Sequence, residues 1–536
     1  MSPKIKLKST SIISSTTSKQ EFIDILLDNR QITDNKDAFF SPKYPQVSDF
    51  DLDQKKLTQA ANRLKKAIKN QENILIYGDY DVDGITSTAV LWQALHHQGA
   101  KVIPFVPNRE RDGYGIKAKS FFDFQEKNSH FDLLVTVDNG IVAHKEINQI
   151  VESGTEVIIV DHHLALDTLP KASTIVHSTQ VSASILSWFL AKEIDDQADI
   201  SLAALGAVAD CVPLVGINRQ VVVHGLKKIN TDPSFGLKKL IEISNIKSET
   251  ISTYELSFVL GPRINAVGRL SDPTDALRLL CSQNLTQATK FAQSLDKFNR
   301  DRQVIQLESL KTADEQNKNN QDKLIFVSNK DYLPGIIGLI AGRLTEKFHL
   351  PSIIISIDKE FSKASCRSIP ELNIVETLRS FDDDLVELGG HAGAAGFTIK
   401  TENIESFKTK VIAYINKKLA KVDLVPTIDI DVQMELSAAN LTNCKIIDQL
   451  KPFGIGNPEP LFLFKNLKVT DKRLLGSQKE HLKLKFGNLD AIAFKKGDLD
   501  SQIAISSSVD IIAFLSINAW NGNVSPQLMI KEIFPI

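Results

Sequence analysis

Three aspartates alternate with other residues at the end of an apolar run. In NILIYGDYDVDG (73–84) they are Asp79, Asp81 and Asp83, closed by Gly84. Carboxylates so close together at the mouth of a strand repel one another, and a cation is the simplest neutraliser. Two more apolar runs end the same way: FDLLVTVD stops at Asp138, and EVIIVD stops at Asp161 with His162 and His163 directly behind it. Asp210 closes SLAALGAVAD, a stretch of small residues that as a helix would pack closely and aim the acid inward. Asp79, Asp81, Asp83, Asp138, His162 and Asp210 make a set of hard oxygen ligands with one imidazole. Such a set suits manganese or magnesium better than a structural zinc site, which would call for thiolates. Two divalent ions roughly 3.5–4 Å apart activate water and neutralise a phosphoryl oxygen in an in-line displacement, and Asp138 is a candidate bridge between them. His163 projects differently from His162 and is a candidate to contact the scissile phosphate or protonate the leaving oxygen; its alternative role is to orient its neighbours.

The elements that position these residues follow from the same runs. Short apolar segments rich in Ile, Leu and Val alternate with helical patterns, which predicts a doubly wound parallel sheet covered on both faces. Chemistry in such sheets collects beyond the carboxyl ends of the strands, where the acids and histidines fall. Ahead of the sheet, DQKKLTQAANRLKKAIKNQ places Leu57, Ala60, Ala61, Leu64 and Ile68 on one helical face. From Asp275 to about Gln316 an apolar spacing of three and four predicts one long connecting helix. After the polar run EQNKNNQD, the strand-like KLIFVS opens a second, smaller α/β domain. Its GGHAGAAG segment sets glycines 389, 390, 393 and 396 around His391, where backbone amides can approach an anion. From about Pro426 short alternating strands predict an OB-like β-barrel. Residues 461–500 carry nine Lys or Arg against five Asp or Glu, a local excess that fits a phosphate backbone or a solvated basic face. Phe494 and Trp520 are candidates to stack on bases, although an aromatic in a β-domain more often belongs to the core. The expected domains are an N-terminal arm at 1–45, packed on the first domain, a catalytic domain at 46–235 and a helical connection at 236–320. A second α/β domain at 321–425 and the OB-like domain at 426–536 complete the chain.

Composition excludes more than it assigns. At 536 residues the chain needs several cores, and 42% hydrophobic with 24% charged residues is ordinary for a globular protein. The net charge of −2 provides no global basic field, so any nucleic acid must be held by local patches. Cys211, Cys281, Cys366 and Cys444 are scattered without metal-ligand spacing and read as buried thiols of a reducing cytoplasm. No stretch is long and apolar enough for a signal or a membrane span, so a cytoplasmic protein without a membrane partner is expected.

GDYDVDG, VDNG, the tripeptide DHH at 161–163 and GGHAGAAG resemble the DHH phosphoesterase family with its associated C-terminal domain. PNRERDGYGI (107–116), GPRINAVGRL (261–270), SCRSIP (365–370) and PFGIGNPEPLF (452–462) narrow the resemblance to the RecJ single-stranded-DNA exonucleases. It extends in blocks from about residue 73 to the C-terminus. The resemblance implies two α/β halves joined by a long helix with an OB-fold behind them. It implies 5′→3′ degradation of single-stranded DNA in recombination and repair, with two divalent ions, manganese or magnesium, as cofactors. Asp79, Asp81, Asp83, Asp138, His162 and Asp210 match the family's metal ligands, with Asp81, Asp83, Asp138 and His163 at the chemistry. Arg109, Ser365 and Arg367 match the residues that hold the 5′ phosphate. Gly390 and His391 would seat the backbone, and Asn265 and Arg269 would lie near the cut. A single-stranded-DNA-binding protein and a helicase are the partners implied, acting with a monomer. Tyr77 stands where many smaller members of the wider superfamily carry histidine, so the first ion would lean on Asp79 or water. The competing readings are a DHH phosphodiesterase of short oligonucleotides or cyclic dinucleotides, and a non-catalytic single-stranded-DNA-binding scaffold.

Overall fold

A computed structural model describes residues 3–33, 35–109, 111–113, 115–520 and 522–536; of Trp520 it describes the backbone alone, so that candidate stacking side chain lies outside the described residues. The chain divides into two compact units. One comprises Leu52–Ala209 and Lys228–Pro426, the other Met1–Asp51, Asp210–Lys227 and Thr427–Ile536.

The larger unit opens with α1 (Gln54–Asn70), whose buried face is Leu57, Ala60, Ala61, Leu64 and Ala67. The sheet that follows has strands β1 (Asn73–Tyr77), β2 (Lys101–Phe105), β3 (Leu133–Val137), β4 (Glu156–Asp161) and β5 (Thr174–His177). Their order is β2-β1-β3-β4-β5 and every neighbouring pair is parallel. The near-continuous apolar runs are explained by this arrangement, because a parallel strand with helices on both faces has no solvated side. β3 is buried along its whole length. Strand order reverses between β1 and β3, and the crevice beyond their carboxyl ends is where doubly wound sheets place ligands.

Three helices pack on one another beside the sheet: α2 (Val82–His97), α3 (Ala183–Lys192) and α4 (Ile200–Ala209). After α5 (Gly261–Leu270) the expected single long helix is two. Thr274–Leu280 ends at Cys281, and α6 (Leu285–Asn317) restarts 33 residues of helix from Asn284, whose side chain accepts from the backbone N–H of Thr286 and Gln287. α6 packs against α5 at one end and against α7 (Ile337–Phe348) and β6 (Ile325–Asn329) at the other. β6 belongs to a mixed sheet with β7 (Ser352–Ser356), β8 (Phe361–Arg367), β9 (Leu385–His391) and β10 (Ala394–Lys400), in the order β9-β10-β8-β7-β6. Only β6 and β7 in it are parallel.

The smaller unit is built on an eight-stranded sheet made mostly from residues 432–535. The N-terminal arm belongs here, not on the first domain as its sequence position suggests. Lys4–Leu7 pairs in parallel with Thr427–Ile430, and Ile12–Ile13 pairs with Val432–Met434. The helix Lys19–Asp28 sends Phe22, Ile23, Leu26 and Leu27 into the same core as Phe462 and Phe464. Cys366 and Cys444 are buried as expected, but Cys211 is exposed. Phe494 is 53% exposed and meets His481 edge-on at 4.9 Å.

A buried ion pair fixes the arm. Arg30 Nη1 lies 2.9 Å from Asp431 Oδ1, with side chains 1% and 3% exposed. Arg30 also donates to Asn457 Oδ1 and to the carbonyls of Leu26 and Pro458, while Asp431 accepts from Leu461 N–H. Nearly every polar atom of the pair is thus satisfied, the condition under which a buried pair is retained. Asp431→Ala leaves a buried guanidinium uncompensated and is expected to cost this unit roughly 3–5 kcal/mol. Urea denaturation followed by Trp and Tyr fluorescence, compared with Asp431→Asn, measures it.

Candidate metal centre and phosphate pocket

The acidic stretch is the junction of β1 with α2. Asp81 is the N-cap of α2 and accepts from Gly84 N–H at 3.0 Å, so Asp83 falls in the first turn. Carboxylates are favoured there by the helix dipole and unpaired N–H groups. Gly84 is required by a close approach: a Cβ at that position would lie 2.6 Å from the backbone of Asp79. Asp79 turns back on its own loop and accepts from Tyr80 N–H at 2.8 Å. Asp83 is held by a second helix, accepting from Ala183 N–H at 2.8 Å and Ser184 N–H at 3.1 Å, the start of α3. The small residues of α4 make this possible, since a Cβ on Gly206 would meet Asp83 Oδ1 at 2.6 Å and Ser184 Oγ at 2.3 Å. Asp210 is the first residue after α4, at the point where the chain leaves this unit.

Asp138 follows β3 with φ of 62°, a left-handed conformation uncommon for a residue with a Cβ and characteristic of functional sites. Its N–H donates to Val160 O at 2.9 Å, which holds the turn against β4. Oδ1 of Asp138 is buried and accepts no well-aligned hydrogen bond among the described residues, although His162 Nε2 is 3.2 Å away. His162 Nε2 also lies 4.0 Å from Asp83 Oδ2. An imidazole nitrogen beside a buried carboxylate oxygen that has no hydrogen bond among the described residues is a donor pair suited to a divalent ion. One ligand atom from each of Asp79, Asp81 and Asp138 lies within 4.8 Å of the others, and the same holds for Asp138, His162 and His163. Asp79, Asp81, Asp83, Asp138, His162 and His163 are therefore gathered at one sheet edge.

Electrostatics show what the cluster lacks. Burial, then the neighbouring Asp81, pushes the Asp79 carboxyl up to about 8. Asp81 is raised by burial and by Asp83, and Asp138 is raised well above the usual carboxylate range by burial and by Asp81, Asp83 and Asp79. Asp161, absent from the sequence-derived site, behaves oppositely. Burial alone would raise it, but the hydrogen bond and charge of His163 outweigh that and hold it below its ordinary value. Asp161 Oδ1 lies 2.7 Å from His163 Nδ1 and Oδ2 accepts from Ile141 N–H at 2.9 Å, so this carboxylate orients the ring of His163. The signal for it was the first letter of DHH. Tyr77 is no substitute for the histidine of related proteins: it is fully buried in the core against Phe105, at 4.9 Å between ring centroids, and burial raises its phenol.

Beside the acids lies a cluster of guanidinium groups. Arg109 Cζ is 5.7 Å from the centre of the Tyr80 ring. Arg269, at the end of α5, donates to Gly335 O at 3.0 Å, and burial followed by the charges of Arg109 and Arg302 brings it down to about 10. Arg367 donates to Cys366 O at 2.8 Å and to Ser365 Oγ at 3.4 Å, and burial lowers it. The described bonds of Arg269 and Arg367 go to carbonyls and a hydroxyl rather than carboxylates, which leaves their charge for an anion. Gly338 of the segment PGIIG closes the wall, a Cβ there falling 3.1 Å from Ser365 Oγ and 3.4 Å from Arg367 Nη2. Asn265 lies on α5 one turn before Arg269. Gly390 and His391 end β9 at an exposed hairpin, where His391 Nδ1 accepts from Gly393 N–H at 3.3 Å.

Three stretches of the chain match known families. Residues 73–212 match the DHH family N-terminal domain, 321–417 the DHHA1 domain and 430–532 the RecJ OB domain. The single-stranded-DNA-specific exonuclease RecJ of Bacillus subtilis is 33% identical over 98% of this chain and 68% of its own length. That of Escherichia coli is 30% identical over 89% and 90%. The crystal structure of RecJ in complex with Mn2+ from Thermus thermophilus superposes with a TM-score of 0.83 at 28% identity, covering 99% of this chain and 79% of the other. No helix among the described residues is long and apolar enough to cross a membrane.

The raised carboxyls have a measurable consequence. A carboxyl whose folded pKa lies above its unfolded value of about 4 favours the ion-free fold while it is protonated. For Asp79 that contribution is present below about pH 4 and lost as pH rises through about 8. Bound Mn2+ replaces the missing proton, so the rise in melting temperature on adding Mn2+ is expected to be several degrees larger at pH 8 than at pH 5.5. Differential scanning fluorimetry at fixed ionic strength checks the sign.

Proposed function

We propose a function on the premise that this chain belongs to the RecJ family: it hydrolyses single-stranded DNA from the 5′ end to mononucleotides, with two divalent ions, manganese or magnesium, as cofactors. The observation that carries the reading is the buried Asp138, unsatisfied among the described residues and in a crowd of raised carboxyls, next to Arg269 and Arg367, whose described bonds go to carbonyls and a hydroxyl. Acids alone would bind a cation and arginines alone an anion. A phosphodiester under attack needs both.

In this reading Asp79, Asp81, Asp83, Asp138, His162 and Asp210 hold the ions. When bound, such a pair supplies an activated water and Lewis acidity at the phosphoryl oxygens. The protein's own contribution is placement. Arg109, Ser365 and Arg367 grip the terminal 5′ phosphate, and the planar guanidinium forks match its oxygens. Asn265 and Arg269 hold the strand beside the cut, while Gly390 and His391 seat the backbone from the second domain. His163, kept in orientation through Nδ1 by Asp161, uses Nε2 to hydrogen-bond the scissile phosphate or give a proton to the leaving oxygen. The cellular setting we assign is cytoplasmic recombination and repair. A monomer would act there with a single-stranded-DNA-binding protein and with a helicase that supplies 5′ tails.

Asp138→Ala is expected to lower nucleotide release from a 5′-phosphorylated single strand by roughly a thousandfold or more, the rate equivalent of several kcal/mol of lost charge stabilisation, without loss of fold. Steady-state assays in Mn2+ with circular dichroism as control check this. Arg367→Ala is expected to raise KM roughly 10- to 100-fold on 5′-phosphorylated strands and to leave KM for 5′-hydroxyl strands nearly unchanged, since one charge-assisted contact to the phosphate is lost. Paired kinetics on the two substrates test the assignment.

A further inference from the structure

Beside the loop that carries Arg109, the larger unit holds a recess of about 960 Å³. The helices Ala118–Lys127, Thr274–Leu280 and α6 each turn one face to it. Sequence spacing shows this in each of them: Phe124 and Lys127, Thr274 and Arg278, Gln287 and Phe291 lie three or four residues apart. β2 supplies a further wall as the edge strand of the parallel sheet. Phe105 O accepts from Gly78 N–H on the β1 side, so the preceding residue, Pro104, faces outward. A proline there has no N–H to offer, and an added peptide strand would find the edge blunted. The recess therefore suits a small molecule better than an extended chain.

Two kinds of side chain meet in it. Trp92, Phe105, Phe124 and Phe291 are all half-buried, so each keeps part of its ring surface uncovered. Phe105 and Phe124 stand 4.7 Å apart between ring centroids. Arg111, Lys119, Lys127, Arg278 and Lys290 are exposed around them, five cations against the three acids Asp112, Asp123 and Asp272. Asp112 is already answered: it lies 2.9 Å from Arg111 Nη2 and accepts from Asn108 N–H at 2.8 Å and from Ser120 Oγ at 3.1 Å. Lys119, Lys127 and Lys290 form no ion pair among the described residues. A solvated basic face would explain the lysines but not four partly uncovered rings between them, and a simple apolar cleft would not explain the lysines. Concave sites that combine apolar surface with a few charged groups are the usual form of a small-molecule site, and this volume lies within their range of about 300–1,000 Å³.

We propose that this recess is a binding site for a free nucleoside phosphate, separate from the metal centre and the 5′ phosphate pocket. Its base lies against the rings of Trp92, Phe105, Phe124 and Phe291, and its phosphates meet Lys119, Lys127, Arg278 and Lys290. The ligand class follows from the two kinds of wall, since an aromatic ring joined to a compact polyanion satisfies both. The site has one wall in common with the proposed phosphate grip. Asp112 closes the turn from Asn108 that contains Arg109, so a molecule in the recess borders the segment that holds the 5′ end.

Isothermal titration of the full chain without divalent ion, using dAMP, ATP, adenosine and inorganic phosphate in turn, tests the site. The nucleotides are expected to bind at least about tenfold more tightly than adenosine or phosphate, because only they meet rings and cations together. Lys127→Glu/Lys290→Glu, at two exposed positions and with circular dichroism as control, weakens nucleotide binding at least about tenfold. Arg367→Ala, which alters the 5′ phosphate pocket, leaves that binding in place. Tighter binding of ATP than of dAMP gives the site to the nucleoside triphosphate pool, and the reverse gives it to mononucleotides of the kind the proposed reaction releases. Only the second assignment rests on the exonuclease reading. The proposal is overturned if neither nucleotide binds, or if inorganic phosphate binds as tightly as they do, which would leave a basic patch alone. It is equally overturned if Arg367→Ala removes the binding and the folded double charge reversal keeps it, a result that puts the nucleotide in the 5′ phosphate pocket. Failure of the exonuclease reading is a separate result, since the titration measures no hydrolysis.

Discussion

The constraint on which the rest depends is mutual repulsion among carboxylates held out of water at the carboxyl edge of one parallel sheet. Like charges this close and this buried oppose their own ionisation, which is why Asp79 is pushed up to about 8 and Asp138 is raised well above its usual range. The fold accepts that cost and fixes the acids firmly. Asp81 caps α2, Asp83 caps the start of α3, and Asp138 sits in a left-handed turn at the switch point of the sheet. Small residues let α4 approach so closely that a single methyl group at Gly206 would strike Asp83. A cluster with no cation to bind would have little reason to be held this tightly.

The arginines make the opposite demand. Arg269 and Arg367 are lowered by burial, and both are lowered further by the charge of Arg109, so this cluster favours an anion. Tyr80 stands between the two, with Asp79 and Asp81 on either side in sequence and Arg109 over its ring. In the function proposed above, a terminal phosphate and a neighbouring phosphodiester, carried in with divalent ions, neutralise both halves together.

Much of this was legible in the chain because it rests on local pattern. Apolar runs that end in Asp or His gave strand and loop together, and a parallel sheet with acids and histidines gathered at its carboxyl edge is what the structure holds. What escaped notice depends on contacts distant in sequence. The arm's place in the smaller unit rests on Arg30 meeting Asp431, some 400 residues away, and on two short strands with little periodicity of their own. Asp161 looked like the end of a strand, yet its carboxylate orients His163 and ties the next loop. The break before α6 came from the cap at Asn284, a polar residue that an apolar count passes over.

The central claim is that the crowded acids are a binuclear metal centre. Crystals of the chain grown with Mn2+ and measured at the manganese absorption edge test it most directly. The account predicts two anomalous peaks beyond the carboxyl ends of β1 and β3, each bounded by carboxylate oxygens of the set Asp79, Asp81, Asp83, Asp138 and Asp210, with His162 Nε2 on one of them. Peaks elsewhere on the molecule, or a fully occupied Mn2+ site that leaves Asp138 uncoordinated, would contradict it.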